Sequence, residues 1–201
     1  MRHATVALLL LIVTLLAGCG TAAMPVIQAA GMFKTAYDYS EWVMPRKRVD
    51  FMGDQSADRR LEENVRRRLQ AEQIQSPSLG AYAMNGHVYL VGVFETQTEA
   101  QRARQAVRDV KGVRRLTCSF FRPSEAGQYD PMVSRELAKT IASQLEADEQ
   151  LESAWLRVSV QQQNVVLMGR VQSPDQKERV ESLVRDTEGA REIRSYVAVN
   201  S

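Results

Sequence analysis

The chain is poor in the side chains that most often carry chemistry. Its 201 residues include two histidines, His3 and His87, and two cysteines, Cys19 and Cys118. Two-histidine metal sites are therefore excluded by count once the N-terminal segment is lost. Cys118 is left alone if Cys19 is used as argued below, so no intramolecular disulfide can form. A buried apolar role suits it, on one strand face with Leu116 and Phe120. No glycine-rich loop precedes a helix, and nucleotide binding has no support. The apolar run from Ala4 to Leu16 falls short of the ~20 residues that cross a bilayer as a helix. Asp148, Glu149 and Glu152 read as a solvated acidic segment rather than as metal ligands. These absences point away from an enzyme, a cofactor or a resident metal.

What is present begins with that short apolar run. Arg2 and the stretch to Leu16 have the form of a secretory signal. Leu16-Ala17-Gly18-Cys19 then resembles the bacterial lipobox, which implies cleavage before Cys19 and acylation of that cysteine. Each buried CH₂ contributes ~0.8 kcal/mol, so several acyl chains make attachment effectively permanent. Residues 1–18 are thus expected to be a lipoprotein signal peptide, and 19–57 a lipidated N-terminus. The latter carries Phe33, Tyr37, Tyr39, Trp42 and Phe51, rings that a plain tether has little use for; the stretch from Phe33 to Phe51 is expected to pack on a domain or lie against a membrane, packing being favoured. Pro45-Arg46-Lys47-Arg48 reads as a solvated turn.

The net charge of +2 hides an asymmetry. From Asp58 to Phe121 there are 11 Lys/Arg against 7 Asp/Glu, and from Asp130 to Ser201 there are 9 against 12. One half is basic and the other acidic, which suggests a directional partner.

The two halves also repeat one another. Gly86-His87-Val88-Tyr89-Leu90-Val91-Gly92 lies over Gln163-Asn164-Val165-Val166-Leu167-Met168-Gly169, and Gly112 falls on Gly189. Leu61, Val65 and Leu69 match Leu137, Ile141 and Leu145 at an offset smaller by one. Each copy opens with a helix whose apolar stripe has a spacing of four. A hairpin follows, marked in the first copy by Asn85-Gly86. Thr96-x-x-Glu99 and Ser173-Pro174-Asp175-Gln176 then have the form of capping boxes that start a second helix. Gly112 and Gly189 fall where C-cap glycines belong, while Gly92 and Gly169 sit in strands where a neighbour comes close. The strand–helix–strand crossover predicts a parallel last pair. The expected fold is α/β of the two-layer α+β kind: two tandem domains, each a three-stranded mixed sheet covered by two helices. The domains span 58–121 and 130–201, with a connector at 122–129.

Val88-x-Leu90-x-Gly92 with Gly112-Val113, and Val165-x-Leu167-x-Gly169 with Gly189-Ala190, resemble the BON domain. A lipobox followed by two such units is similar to the dual-BON envelope lipoproteins of Gram-negative bacteria. The resemblance implies a non-catalytic protein that binds anionic phospholipid and supports envelope integrity. Gly20 after the cysteine implies sorting to the periplasmic face of the outer membrane. In the family, lipid binding is attributed chiefly to the second domain, near the start of its first helix, where this chain offers Tyr129 and Met132. That domain is acidic here, however, and the arginines lie in the first. Arg59, Arg66 and Arg67 share its first helix and are the candidate head-group ligands. Arg102, Arg104, Arg108, Arg114 and Arg115 lie on or after its second helix. The alternative is a protein–protein scaffold whose acidic second domain docks an envelope partner. Nucleic acid is not expected as a partner of a secreted, lipid-anchored chain.

Overall fold

The computed structural model describes residues 40–47, 49, 53–74, 78–124 and 130–200. Cys19, Tyr129, Phe33, Tyr37, Tyr39 and Phe51 lie outside them, and so does what was expected of each.

In the first domain Asp54 caps helix α1 (Gln55–Ala71) by accepting from the N–H groups of Ser56 and Ala57. Leu61, Val65 and Leu69 are buried along its inner stripe. Strands β2 (Gly80–Met84) and β3 (His87–Val93) pair antiparallel. The turn between them holds Asn85 at φ 51° and Gly86 at φ 71°, both left-handed as that hairpin requires. Thr96 caps helix α2 (Gln97–Arg108), its hydroxyl accepting from the Glu99 N–H at 3.2 Å. Strand β4 (Arg115–Phe121) then runs parallel to β3, with Cys118 opposite Leu90.

The second domain repeats the order: α3 (Pro131–Ala147), a 3₁₀ turn at Glu149–Leu151, β5 (Trp155–Gln161), β6 (Asn164–Val171), α4 (Pro174–Arg185) and β7 (Ile193–Val199). β6 and β7 are parallel. Leu137, Ile141 and Leu145 are buried as their counterparts are, and Leu90 and Leu167 are both 0% exposed. Two copies of one α+β unit, as the repeat predicts, make up the described chain.

One element exceeds that expectation. Strand β1 (Ser40–Val43), from the segment read as a linker, pairs antiparallel with β5. The first sheet therefore has the order β2-β3-β4 and the second β1-β5-β6-β7. Trp42 of β1 stacks on Trp155 with ring centroids 6.0 Å apart, so the one linker ring among the described residues packs on a domain. The basic turn after β1 is not simply solvated. The backbone N–H groups of Arg46 and Lys47 donate to the Glu152 carbonyl at 2.6 and 3.1 Å. The Arg46 guanidinium reaches the Asp148 carbonyl at 2.7 Å, and Lys47 pairs with the Glu152 carboxylate. Asp148 in turn takes Arg179 at 2.7 Å. The basic turn and the acidic segment, each read as solvent-facing, are each other's partners.

The glycines keep the backbone roles expected of them, with one shift in place. Gly112 and Gly189 have φ of 103° and 91°, but lie beyond the C-cap residues Asp109 and Asp186, in the turns into β4 and β7. Gly92 lets Leu79 approach, and Gly169 lets the β5 backbone approach.

Helices cover only one face of each sheet, and the other two faces pack on one another. Tyr82, Met84, Tyr89, Val91, Val93 and Phe121 of the first sheet share one buried cluster with Trp155, Val166 and Met168 of the second. Tyr82 and Ser159, equivalent positions of the repeat, touch hydroxyl to hydroxyl at 3.2 Å. The two domains are thus joined through a shared core.

Candidate functional site

Three surfaces hold the residues singled out in the sequence. The first is α1. Arg59 lines a hollow of about 250 Å³ with Trp42, Met44 and Trp155. Arg66 is half-buried, and its charge acts on Glu62. Arg67 is exposed and donates to the Asn64 side chain at 2.6 Å. Of the three, Arg59 lines this hollow and Arg67 is engaged with its own helix.

The second surface is the first turn of α3. Asp130 caps it, accepting from the Met132 N–H at 2.8 Å. Met132 is 57% exposed and Val133 44%, two of the three exposed large apolar side chains among the described residues. They border a hollow of about 370 Å³ with Leu137, Thr140 and two carboxylates, Glu136 and Glu188. Met132 stands where the sequence places it, and Val133 joins it. The rim is acidic.

The third surface gathers arginines that are dispersed in the sequence. Arg104 and Arg108 lie a turn apart on α2, and Arg114 and Arg115 open β4. The crossover brings all four around one hollow of about 500 Å³, with Val113, Leu116 and Cys118 at its base. None of the four forms an ion pair with a described carboxylate. Arg102 points elsewhere, donating to the Glu72 carbonyl at 3.3 Å. Burial pushes the Cys118 thiol up, against a smaller opposing pull from Arg104, so at neutral pH the sulfur is a protonated thiol. The hollow thus offers positive charge rather than a thiolate nucleophile.

The BON domain model matches residues 57–120 and 134–201. This chain belongs to the BON domain family. BON domains are associated with membrane and phospholipid binding and with envelope proteins. The match covers both copies of the repeat and leaves β1 outside, so the fourth strand of the second sheet is an addition to the BON unit. CdsD, a structural protein of the type III secretion system of Chlamydia trachomatis, is similar at 12% identity and a TM-score of 0.30, over 70% of this chain and 92% of that one. The CdsD C-terminal domain structure is similar at 16% identity and a TM-score of 0.26, over 61% of this chain and 57% of that one. At scores this low neither structure bears on what this chain binds. No curated protein matches the chain. No described helix is long and apolar enough to cross a membrane.

Proposed function

We propose that this protein is a non-catalytic lipoprotein of the bacterial envelope that holds an anionic phospholipid surface and so supports envelope integrity. Cys19 is its anchor, at the periplasmic face of the outer membrane. The observation that supports this reading best is the arginine hollow of the first BON domain. Four arginines that line one concavity, without described carboxylate partners, create a positive potential that a phosphate-bearing surface neutralises. Each basic residue near such a surface contributes ~1 kcal/mol, so four suffice to bias a tethered domain toward it. The arginines of α1 are expected to contribute less, since Arg59 lines a separate hollow and Arg67 is held by Asn64.

Flotation with vesicles tests this on the chain from Gly20 onward with Cys19 absent, which keeps every described residue. It should float with phosphatidylglycerol vesicles, less so as salt rises, and hardly at all with phosphatidylcholine. Arg104→Gln with Arg108→Gln should lower flotation several-fold, and Arg59→Ala/Arg66→Ala/Arg67→Ala should lower it less. Equal flotation of all variants would remove the arginine hollow from the account.

The scaffold alternative is favoured by a different observation. Met132 and Val133 beside Glu136 and Glu188 suit an apolar side chain flanked by a basic one on a protein partner. Crosslinking from position 132 in intact cells separates the readings: lipid adducts support the membrane, a discrete protein adduct the scaffold.

A further inference from the structure

Between the two BON domains lies a second concavity, of about 470 Å³, walled by both repeats. Arg114 and Arg115 enter it from the start of β4, Arg170 from β6, His87 and Tyr89 from β3 and Tyr196 from β7. His87 stacks on Tyr89 with centroids 4.1 Å apart, and Tyr89 meets Tyr196 at 6.1 Å across the domain boundary. No carboxylate lines the cavity. Neither Arg114, Arg115 nor Arg170 forms an ion pair with a described residue. Arg170 is held instead by the Asn200 amide oxygen at 3.2 Å, which orients the guanidinium without neutralising it.

We propose that this interdomain cleft binds a single phosphate group, carried by a phospholipid head group or by a free phosphate ester. Guanidinium forks match phosphate oxygens in pairs, and three converging on one pocket supply more charge than any described neighbour cancels. The volume suits a head group or a small phosphate ester. The arginines would draw a lipid in by its head group. The unneutralised field registers on the titratable rings beside the arginines, since Arg115 and Arg170 act on both His87 and Tyr89. Burial foremost, and then Arg115 and Arg170, hold the His87 imidazole down to about 4. His87 is thus neutral at physiological pH and fixed by Thr117, with Nε2 2.8 Å from Oγ1. Because the walls come from both repeats, one BON domain alone lacks the site, and a bound phosphate would clamp the two domains together. The cleft shares Arg114 and Arg115 with the hollow of Arg104 and Arg108, and Arg170 is the cation that belongs to the cleft alone, which is why its variants carry the test.

The test uses the full chain purified from membranes in non-ionic detergent, with the His87 imidazole followed by NMR. Inorganic phosphate and glycerol 3-phosphate are the soluble probes, and phosphatidylglycerol bilayer discs the lipid probe. A bound anion offsets Arg115 and Arg170, so the His87 midpoint should rise by about one unit at saturation. Arg170→Gln should weaken that saturation about tenfold, as should Arg170→Lys, which keeps the charge but loses the fork. Arg185→Gln, at the exposed end of α4 and outside both arginine sites, should leave it unchanged. Saturation by the soluble probes identifies a free phosphate ester, and a response to the discs alone identifies a lipid head group. No shift with any probe, or a shift that sulfate and chloride reproduce without saturation, overturns the site. A soluble-probe response in a protein that does not float would sink the membrane reading and leave the cleft.

Discussion

At Gly169 a Cβ would lie 2.2 Å from the Trp155 carbonyl oxygen and 2.8 Å from the Leu156 Cα, at a φ of +142°. Both obstacles are backbone, so neither can swing aside. At Gly112, with φ +103°, the nearest atom is a Leu61 methyl at 3.4 Å. Gly112→Ala should therefore cost about 1 kcal/mol for the left-handed backbone, and Gly169→Ala about 3 kcal/mol or more, read as urea midpoints. Equal costs would show that β5 and β6 can separate without penalty. His87 makes a prediction of opposite character. Its folded value of about 4 lies below the ordinary imidazole value of 6.5, so between those pH values the unfolded chain binds a proton that the folded chain refuses. Stability is complete above pH 6.5 and is lost as pH falls toward 4. For this half-buried ring the loss is on the order of 1–2 kcal/mol after allowance for solvent screening. His87→Gln should become more stable relative to the parent over that window, and parallel pH profiles would rule the idea out.

The first helix of each domain fastens the hairpin that follows it, and it does so from the same position of the repeat. The buried Asp58 carboxylate accepts from the Asn85 and Gly86 N–H groups at 2.6 and 2.9 Å. In the second domain the Ser134 hydroxyl accepts from the Gln163 N–H at 3.0 Å. Asp58→Ala leaves one buried and one half-buried donor that lose a charged acceptor, and Ser134→Ala leaves one half-buried donor that loses a neutral acceptor. Expected costs are about 3 and about 1 kcal/mol in chemical unfolding. A reversed order would mean that the turns hold themselves. The second turn has Gln162 and Gln163 at φ 52° and 63°, the geometry of Asn85-Gly86 built without either favoured residue. Composition gives no sign of that turn; its alignment with the first copy does. Both helices' apolar stripes, both capping threonine and serine residues and the parallel crossover follow from local periodicity and are legible in one pass along the chain.

Across the whole molecule, Arg157 does the most to join parts distant in sequence. Its guanidinium lies 4.5 Å from the Trp42 ring of β1 and 4.3 Å from the Tyr82 ring of the first domain. It also donates to the Ser40 hydroxyl at 2.9 Å and stands 3.7 Å from the Glu62 carboxylate of α1. Burial raises the Glu62 value, with Arg157 and the Ala83 N–H opposing. Arg157→Ala removes the opposing cation, so ionising Glu62 becomes costlier still. The folded form then binds its proton over a wider range, and stability falls as pH rises through that range. Arg157→Ala should cost about 3 kcal/mol at pH 7 and distinctly less near pH 4.5, by thermal melting. A cost independent of pH would mean that only packing against Trp42 and Tyr82 is lost. The sequence by itself determined the repeat, the helices, the hairpins and the basic and acidic halves, because these depend on spacings of two, four and 77 residues. It also held an unread sign of the interface: β3 and β6 are apolar at consecutive positions, as strands buried on both faces must be. Only the tertiary structure decided what covers that second face, which arginines share a hollow, and that β1 joins the far domain. Those outcomes rest on contacts between residues whose separation along the chain carries no local signal, so nothing in their immediate neighbourhood could announce them.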